Sequence, residues 1–148
     1  MDKPLAQIEF ETMLLGRYMN LLSHRSNRLL DRSAYILLSR IQAEGPMSIS
    51  QLSDAFGLDT STLNRQTAAM MRIGVVERIP DPEGGIARKF SITAEGERQL
   101  ESDRAQNLDG LSKVLADWTP KEAGQLAACL DRLNRDIERL DGRPWPRT

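Results

Sequence analysis

The chain has 148 residues, of which 40% are hydrophobic and 28% charged, with a formal net charge of −1. That length fits one domain or one compact unit with helical extensions, and the near-neutral balance argues against indiscriminate nucleic-acid binding. A lone Cys129 excludes an intrachain disulfide, and a lone His24 excludes a multi-histidine metal site within one chain. Met-Asp-Lys-Pro at the start is not followed by an apolar core, so no signal peptide is expected and the reading is a cytoplasmic protein. No apolar run approaches the roughly 20 residues of a membrane span.

A first helix is expected over residues 4–23. Leu5, Ile8, Thr12, Leu15, Met19 and Leu22 recur at spacings of three and four, and Phe10, Met13, Leu14, Tyr18 and Leu21 widen the stripe. A helix this apolar must be covered on more than one side. A second helix follows at about 31–43, with Asp31 as its cap and Gly45-Pro46 after its end. A short third runs from Gln51 to Phe56, with Ser50 as cap and Gly57 as stop. Asp59 caps a fourth, which runs to about Ile73 and ends at Gly74.

The periodicity then changes from three-four to two. Residues 75–79 and 88–92 read as strands, joined by Asp81-Pro82-Glu83-Gly84-Gly85. Thr93 caps a long helix to about Asp117. Thr119-Pro120-Lys121-Glu122 is a capping box with proline at the first helical position. The helix it opens carries Ala123, Leu126, Leu130, Leu133, Ile137 and Leu140, a seam that asks for another helix against it. The tail, 141–148, contains two prolines and is expected to be loose or irregularly packed. The fold class is therefore mainly α with a small β-hairpin. Residues 1–30 form an amino-terminal dimerisation helix, 31–93 a winged helix-turn-helix, and 94–148 carboxy-terminal dimerisation helices.

Function is carried by residues 51–73, two helices joined by a tight turn. Leu52, Phe56, Leu58 and Leu63 stand where the helices face each other, and Ser53 where they cross. With Leu63 set inward at 100° per residue, Thr67, Met70 and Gly74 share its side. Ser61, Arg65, Ala68 and Arg72 fall opposite, flanked by Thr62 and Asn64. This outward face holds two arginines, small residues and hydroxyls, and no acid. Arginine pairs bidentately with guanine and asparagine with adenine, and small residues let a helix approach the groove. Charge distribution agrees, with Arg17, Arg25, Arg28, Arg32 and Arg40 against only Asp31 in residues 17–40, although charge alone fits a solvated surface equally well. The DNA-contacting set is Ser50, Thr60, Ser61, Thr62, Asn64, Arg65 and Arg72, with Arg88 and Lys89 from the hairpin.

The order of elements resembles the MarR (multiple antibiotic resistance regulator) family of winged helix-turn-helix regulators. The residues that carry the resemblance are Leu-Asp-Arg-Ser-Ala-Tyr at 30–35, Gly-Leu-Asp-Thr-Ser-Thr-Leu-Asn-Arg at 57–65 and Gly-Val-Val-Glu-Arg at 74–78. Asp81-Pro82 and Ser-Ile-Thr-Ala-Glu-Gly at 91–96 complete the set, which covers about half the chain. The resemblance implies a homodimer on a pseudo-palindromic operator. It further implies a repressor released by a small aromatic or phenolic ligand bound between the dimerisation helices and the winged domain. There Arg17, Tyr18, His24 and Tyr35 are the candidate lining residues. No cofactor or metal is expected.

Two departures from the family pattern stand out. The wing has Glu83 and Ile86 where many relatives have arginine, so only a modest, phosphate-directed contribution is expected from Arg88 or Lys89. By strand alternation Lys89 is the outward member of that pair. Cys129 lies in the last helix, within an apolar seam, and reads as a buried, inert thiol. An enzyme is disfavoured, since no phosphate loop, metal cluster or nucleophile elbow is present. A winged-helix protein-interaction module would need an apolar or acidic outward face on the fourth helix. A regulator insensitive to ligand is left open by the sequence.

Overall fold

The computed structural model describes residues 2–25 and 28–147, and side chains within 2–19 and 28–147. In chain order it comprises α1 (Leu5–Arg25), α2 (Arg32–Glu44), α3 (Ile49–Phe56), α4 (Thr60–Arg72), β1 (Val76–Ile79), β2 (Lys89–Ile92), α5 (Ala94–Val114) and α6 (Pro120–Asp141).

Local chemistry sets most of these boundaries. Asp31 accepts from the Ala34 N–H at the start of α2. Thr93 caps α5 through the Gly96 N–H, and Thr119 and Glu122 form the reciprocal capping box of α6. Three expectations need correction. The cap of α3 is Ser48, not Ser50: Ser48 accepts from Gln51 N–H, and the Gln51 side chain accepts from Ser48 N–H. That box starts the helix two residues earlier and leaves Ser50 exposed on its first turn. Asp59 holds the cap position of α4 without a side-chain capping bond. α5 stops at Val114, and 115–117 form a turn.

A single core lies between residues 30 and 100. Leu37, Leu38 and Ile41 of α2 pack with Leu52, Leu63, Met70, Val75, Val76, Phe90 and Leu100, all within one buried cluster. Complete burial of side chains of this size stabilises by about 1.5–3 kcal/mol each. β1 and β2 pair antiparallel, with Val76 opposite Ile92 and Ile79 opposite Lys89. Met47 adds an isolated bridge to Phe90, with N–H···O distances of 3.1 and 2.8 Å, so the hairpin is pinned to the α2–α3 connection.

Two features tie α5 to this core. A Cβ at Gly96 would fall inside the van der Waals radius of the Val75 carbonyl oxygen, so only glycine lets the first turn of α5 close onto β1. One turn beyond Leu100, the fully buried Asp103 carboxylate accepts from the Leu29 and Leu30 N–H groups, both at 2.9 Å. It thereby fixes the entry to α2 against the long helix.

The arms differ from this core. No residue of α6 is buried, nor is any described side chain of α1. Leu5, Ile8, Phe10, Met13 and Leu15 on α1, and Leu130, Leu133, Ile137 and Leu140 on α6, remain exposed in the single chain. Cys129 is exposed as well, so its expected burial does not occur within one chain.

The tail is irregular in backbone, as expected, but it is not loose. Gly142 turns the chain in the left-handed region at the end of α6. Arg143 Nε then donates to the Asp54 carbonyl of α3 at 3.1 Å. Trp145 meets Phe56 edge-on, with centroids 5.7 Å apart, and covers the Arg40 guanidinium at 5.0 Å. Glu138 of α6 accepts from the Trp145 N–H and from Arg147. An aromatic pair of this kind contributes about 0.5–1.5 kcal/mol beyond its buried area.

Candidate nucleic-acid interface

α3 and α4 form a helix-turn-helix because their apolar positions meet and the turn between them is tight. Leu52, Leu63, Thr67 and Met70 are buried, and Gly57 makes the turn in the left-handed region at φ 63°. Ser53 caps the turn by donating to the Leu58 carbonyl at 2.7 Å. Leu58, expected between the helices, is instead 40% exposed, because the turn carries it past the crossing point. The Thr67 hydroxyl disposes of its polarity by donating to the Leu63 carbonyl at 2.8 Å.

With that face fixed inward, α4 presents Thr60, Ser61, Asn64, Arg65, Ala69 and Arg72 to solvent, and Thr62 and Ala68 half-buried. Ser50 joins them as an exposed residue of α3. Arg65 Nη2 lies 3.5 Å from the Thr62 hydroxyl, and neither Arg65 nor Arg72 has an acidic partner among the ion pairs of the described residues. The residues expected to contact DNA therefore divide between two adjacent helices, which carry most of them, and the hairpin, which carries Arg88 and Lys89.

The hairpin corrects one detail. Lys89, read from alternation as outward, turns back to Asp81 at 3.5 Å, and its side chain is only 13% exposed. Asp81 is the anchor of the loop: its carboxylate accepts from the Glu83 N–H at 2.9 Å. That bond first, and Lys89 second, hold the Asp81 carboxyl below its usual range. Arg88 precedes the first paired residue of β2, so strand alternation does not bind it, and it is exposed. Sequence pattern misses this because Lys89 satisfies Asp81 across the loop, a pairing that periodicity does not encode.

A cavity of about 380 Å³ opens where α4 approaches the amino end of α2. Its apolar wall is Leu29, Ala34, Ala69, Met70 and Ile73, and its polar groups include Asp31 and Arg65. Arg65 and Ala69 of α4 and Ile73 at its C-cap line it because they are spaced by four. The residues expected around an effector are placed elsewhere. Arg17 and Tyr18 are exposed on α1, Tyr35 packs half-buried against the core, and the His24 side chain lies outside the described residues. Neither Arg17, Tyr18 nor Tyr35 lines this cavity. A signal for it is present in the sequence, since Ala69 and Ile73 are apolar on a flank of α4 that the wheel leaves unpartnered.

Comparison with known proteins matches this geometry to a family. The MarR family model matches residues 30–84, which span α2 to the wing. The HTH-type transcriptional regulator YxaD of Bacillus subtilis (strain 168) is 32% identical over 136 residues, covering 90% of this chain and 95% of that protein. The chain belongs to the MarR family. A second relative, the HTH-type transcriptional regulator YybA of the same organism, is 23% identical over 87% of each chain. Among solved structures, a crystal structure of MarR has a TM-score of 0.78 at 21% identity, covering 97% of this chain and 99% of that one. A MarR family protein from Bacillus stearothermophilus gives 0.74 at 22% identity, covering 93% and 99%. The six helices and the two-stranded wing are thus the MarR fold, and the protein is a MarR-family transcriptional regulator. No described helix is long and apolar enough to cross a membrane.

Proposed function

We propose that this protein is a homodimeric repressor that binds a pseudo-palindromic operator through α4 and releases it when a small aromatic or phenolic ligand binds. The observation that carries the reading is the acid-free outward face of α4, with Arg65 and Arg72 in no ion pair among the described residues and every large apolar residue of that helix turned away. Ser50, Thr60, Ser61, Thr62 and Asn64 surround them with hydroxyl and amide groups suited to phosphates and base edges. Arg65, nearer the start of α4, reads a base, and Arg72 meets the backbone. Arg88 gives the wing a phosphate contact, while Lys89 serves the loop through Asp81.

The cavity beside α4 supports the ligand half of the proposal. Its volume suits a single aromatic ring, its apolar wall suits the ring face, and Arg65, Ser33, Gln66 and Asp31 at its edge suit a phenolic or carboxylic group that pairs with the arginine. Arg65 belongs to both the cavity and the outward face. A ligand that draws its guanidinium inward removes it from the DNA. The site of action is the cytoplasm, where the operator is.

Selection of bound fragments from genomic DNA, followed by footprinting, tests this reading. Two protected half-sites related by two-fold symmetry are expected, and Arg65→Ala should cost about 1–3 kcal/mol per half-site. Operator affinity unchanged in Arg65→Ala would mean that α4 is not the reading element. Ala69→Phe should fill the cavity and abolish release by benzoate-class probes; release that persists places the ligand elsewhere.

A further inference from the structure

The carboxy-terminal strap, residues 142–147, joins two parts of the molecule that otherwise meet little. One end is held by α6: Gly142 N–H and Arg143 N–H both donate to the Glu138 carbonyl, and the Glu138 carboxylate takes the Trp145 N–H at 2.6 Å and Arg147 Nη1 at 2.7 Å. The other end is held by the helix-turn-helix. Arg143 donates to Asp54 of α3, and its guanidinium lies over Gly57, where a Cβ would come within 2.9 Å of Cζ. Trp145 inserts between Phe56 at the end of α3 and Arg40 of α2, whose residue surface is only 7% exposed. The strap therefore grips the turn from which α4 starts, and it does so from the helix that bears the uncovered apolar seam.

We propose that Trp145 and Arg143 are positioning residues that set the separation of the two recognition helices, and hence the half-site spacing that the dimer accepts. The inference rests on the dimeric reading above. Two α4 helices must enter successive major grooves about one helical turn apart, and their separation is fixed by whatever joins each α4 to the dimer seam. α5 provides one such link, through Gly96 and Asp103. A single link leaves a hinge. The strap is a second link on a different element, α6, and two links remove the rotation that one permits. Neither Trp145 nor Arg143 belongs to the outward face of α4 or to the wing, so the strap acts through geometry and not by touching DNA.

The test uses the full chain, Trp145→Ala, Arg143→Ala and the conservative Trp145→Phe. Sedimentation first establishes that each is dimeric. Affinity is then measured for the selected operator and for duplexes with one base pair added to or removed from the centre. In parallel, a spin label at Glu77→Cys in a Cys129→Ser background reports the distance between the two winged domains. The native dimer is expected to prefer its own spacing and to give one narrow distance. Trp145→Ala and Arg143→Ala should lose that preference severalfold, chiefly through weaker binding at the native spacing, and broaden the distance; Trp145→Phe should restore both in large part. Dimeric variants that keep the spacing preference and the narrow distance would overturn the proposal while leaving the dimeric repressor intact. So would an equal loss at every spacing, which marks a merely stabilising strap. A native chain that is monomeric on its operator overturns both readings together.

Discussion

The winged region and the helical arms solve the problem of apolar surface in opposite ways. Between residues 30 and 100 the large side chains close on one another: Phe90, Leu38, Ile41, Leu52, Leu63 and Leu100 are each almost fully buried. In the arms the same residue types stay open, with Leu5 65% and Leu140 85% exposed. The amphipathic spacing of α6 is as regular as that of the core helices, so regular patterning specifies a buried face without specifying which chain buries it. One region is complete within a chain; the other leaves its apolar faces uncovered, which under the proposed dimer is half of an interface. A large interface of this kind, seamed by helices, is what obligate dimers use.

The largest effect should come from breaking the open region. Leu133→Asp or Ile137→Asp places a charge in the α6 seam, and burial of an unpaired charge is prohibitive. Sedimentation should show the dimer lost at micromolar concentration, and operator binding should fall with it. The same substitution on a truly solvated helix face would change stability by no more than about 0.5 kcal/mol, which distinguishes the two cases sharply.

The buried interior of the closed region should respond through stability alone. Gly96→Ala forces a methyl group against the Val75 carbonyl and Ile92, and overpacking of this kind costs about 1–3 kcal/mol. The midpoint of urea unfolding should drop while the assembled mass is retained. An unchanged midpoint would show that α5 can move off β1 without penalty.

Those two regions are unequally legible in the sequence. Helix starts are readable where a side chain caps its own helix, as at Asp31, Thr93 and Thr119, because that chemistry is local. The start of α3 is harder, since two serines, Ser48 and Ser50, compete for the cap, and only Gln51 three residues after Ser48 settles it. The outward face of α4 is legible from the position of Leu63 alone. Contacts between distant segments are not: Lys89 to Asp81, Met47 to Phe90 and Trp145 to Arg40 and Phe56 follow from loop paths that no periodicity records. The cavity between α2 and α4 is intermediate: Ala69 and Ile73 mark one wall of it in the sequence, but its other wall, Leu29 and Ala34, comes from a segment that periodicity does not bring there.

A smaller effect is expected at the tip of the closed region, where the wing carries opposing charges. Glu83→Arg should tighten operator and scrambled duplex alike and steepen the salt dependence by about 0.9 for each further phosphate neutralised. Arg88→Ala should flatten it by a similar amount. Lys89→Ala should act differently, loosening the loop held by Asp81 more than it alters the salt slope. Curves unmoved by both Glu83→Arg and Arg88→Ala would place the wing clear of the DNA.

The smallest effect joins the two regions. The Glu138 carboxyl is held at about 2, down from an ordinary 4.5, first by the Arg147 side chain and then by the Trp145 N–H, with Arg135 adding attraction. Because the folded value is depressed, strap docking is fully supported above about 4.5 and weakens as the pH falls towards about 2. In a Trp118→Phe background the Trp145 emission should shift to the red over that interval. Glu138→Gln should show the shifted emission already at neutral pH.

The uncovered seam of the arms is tested most directly by sedimentation of the native chain across a dilution series into the low micromolar range. Twice the 16.6 kDa chain mass is expected throughout, with unfolding whose midpoint rises with protein concentration. A 16.6 kDa monomer with normal, concentration-independent unfolding would contradict a dimer built on that seam, because α1 and α6 would then be stable with their apolar faces in water.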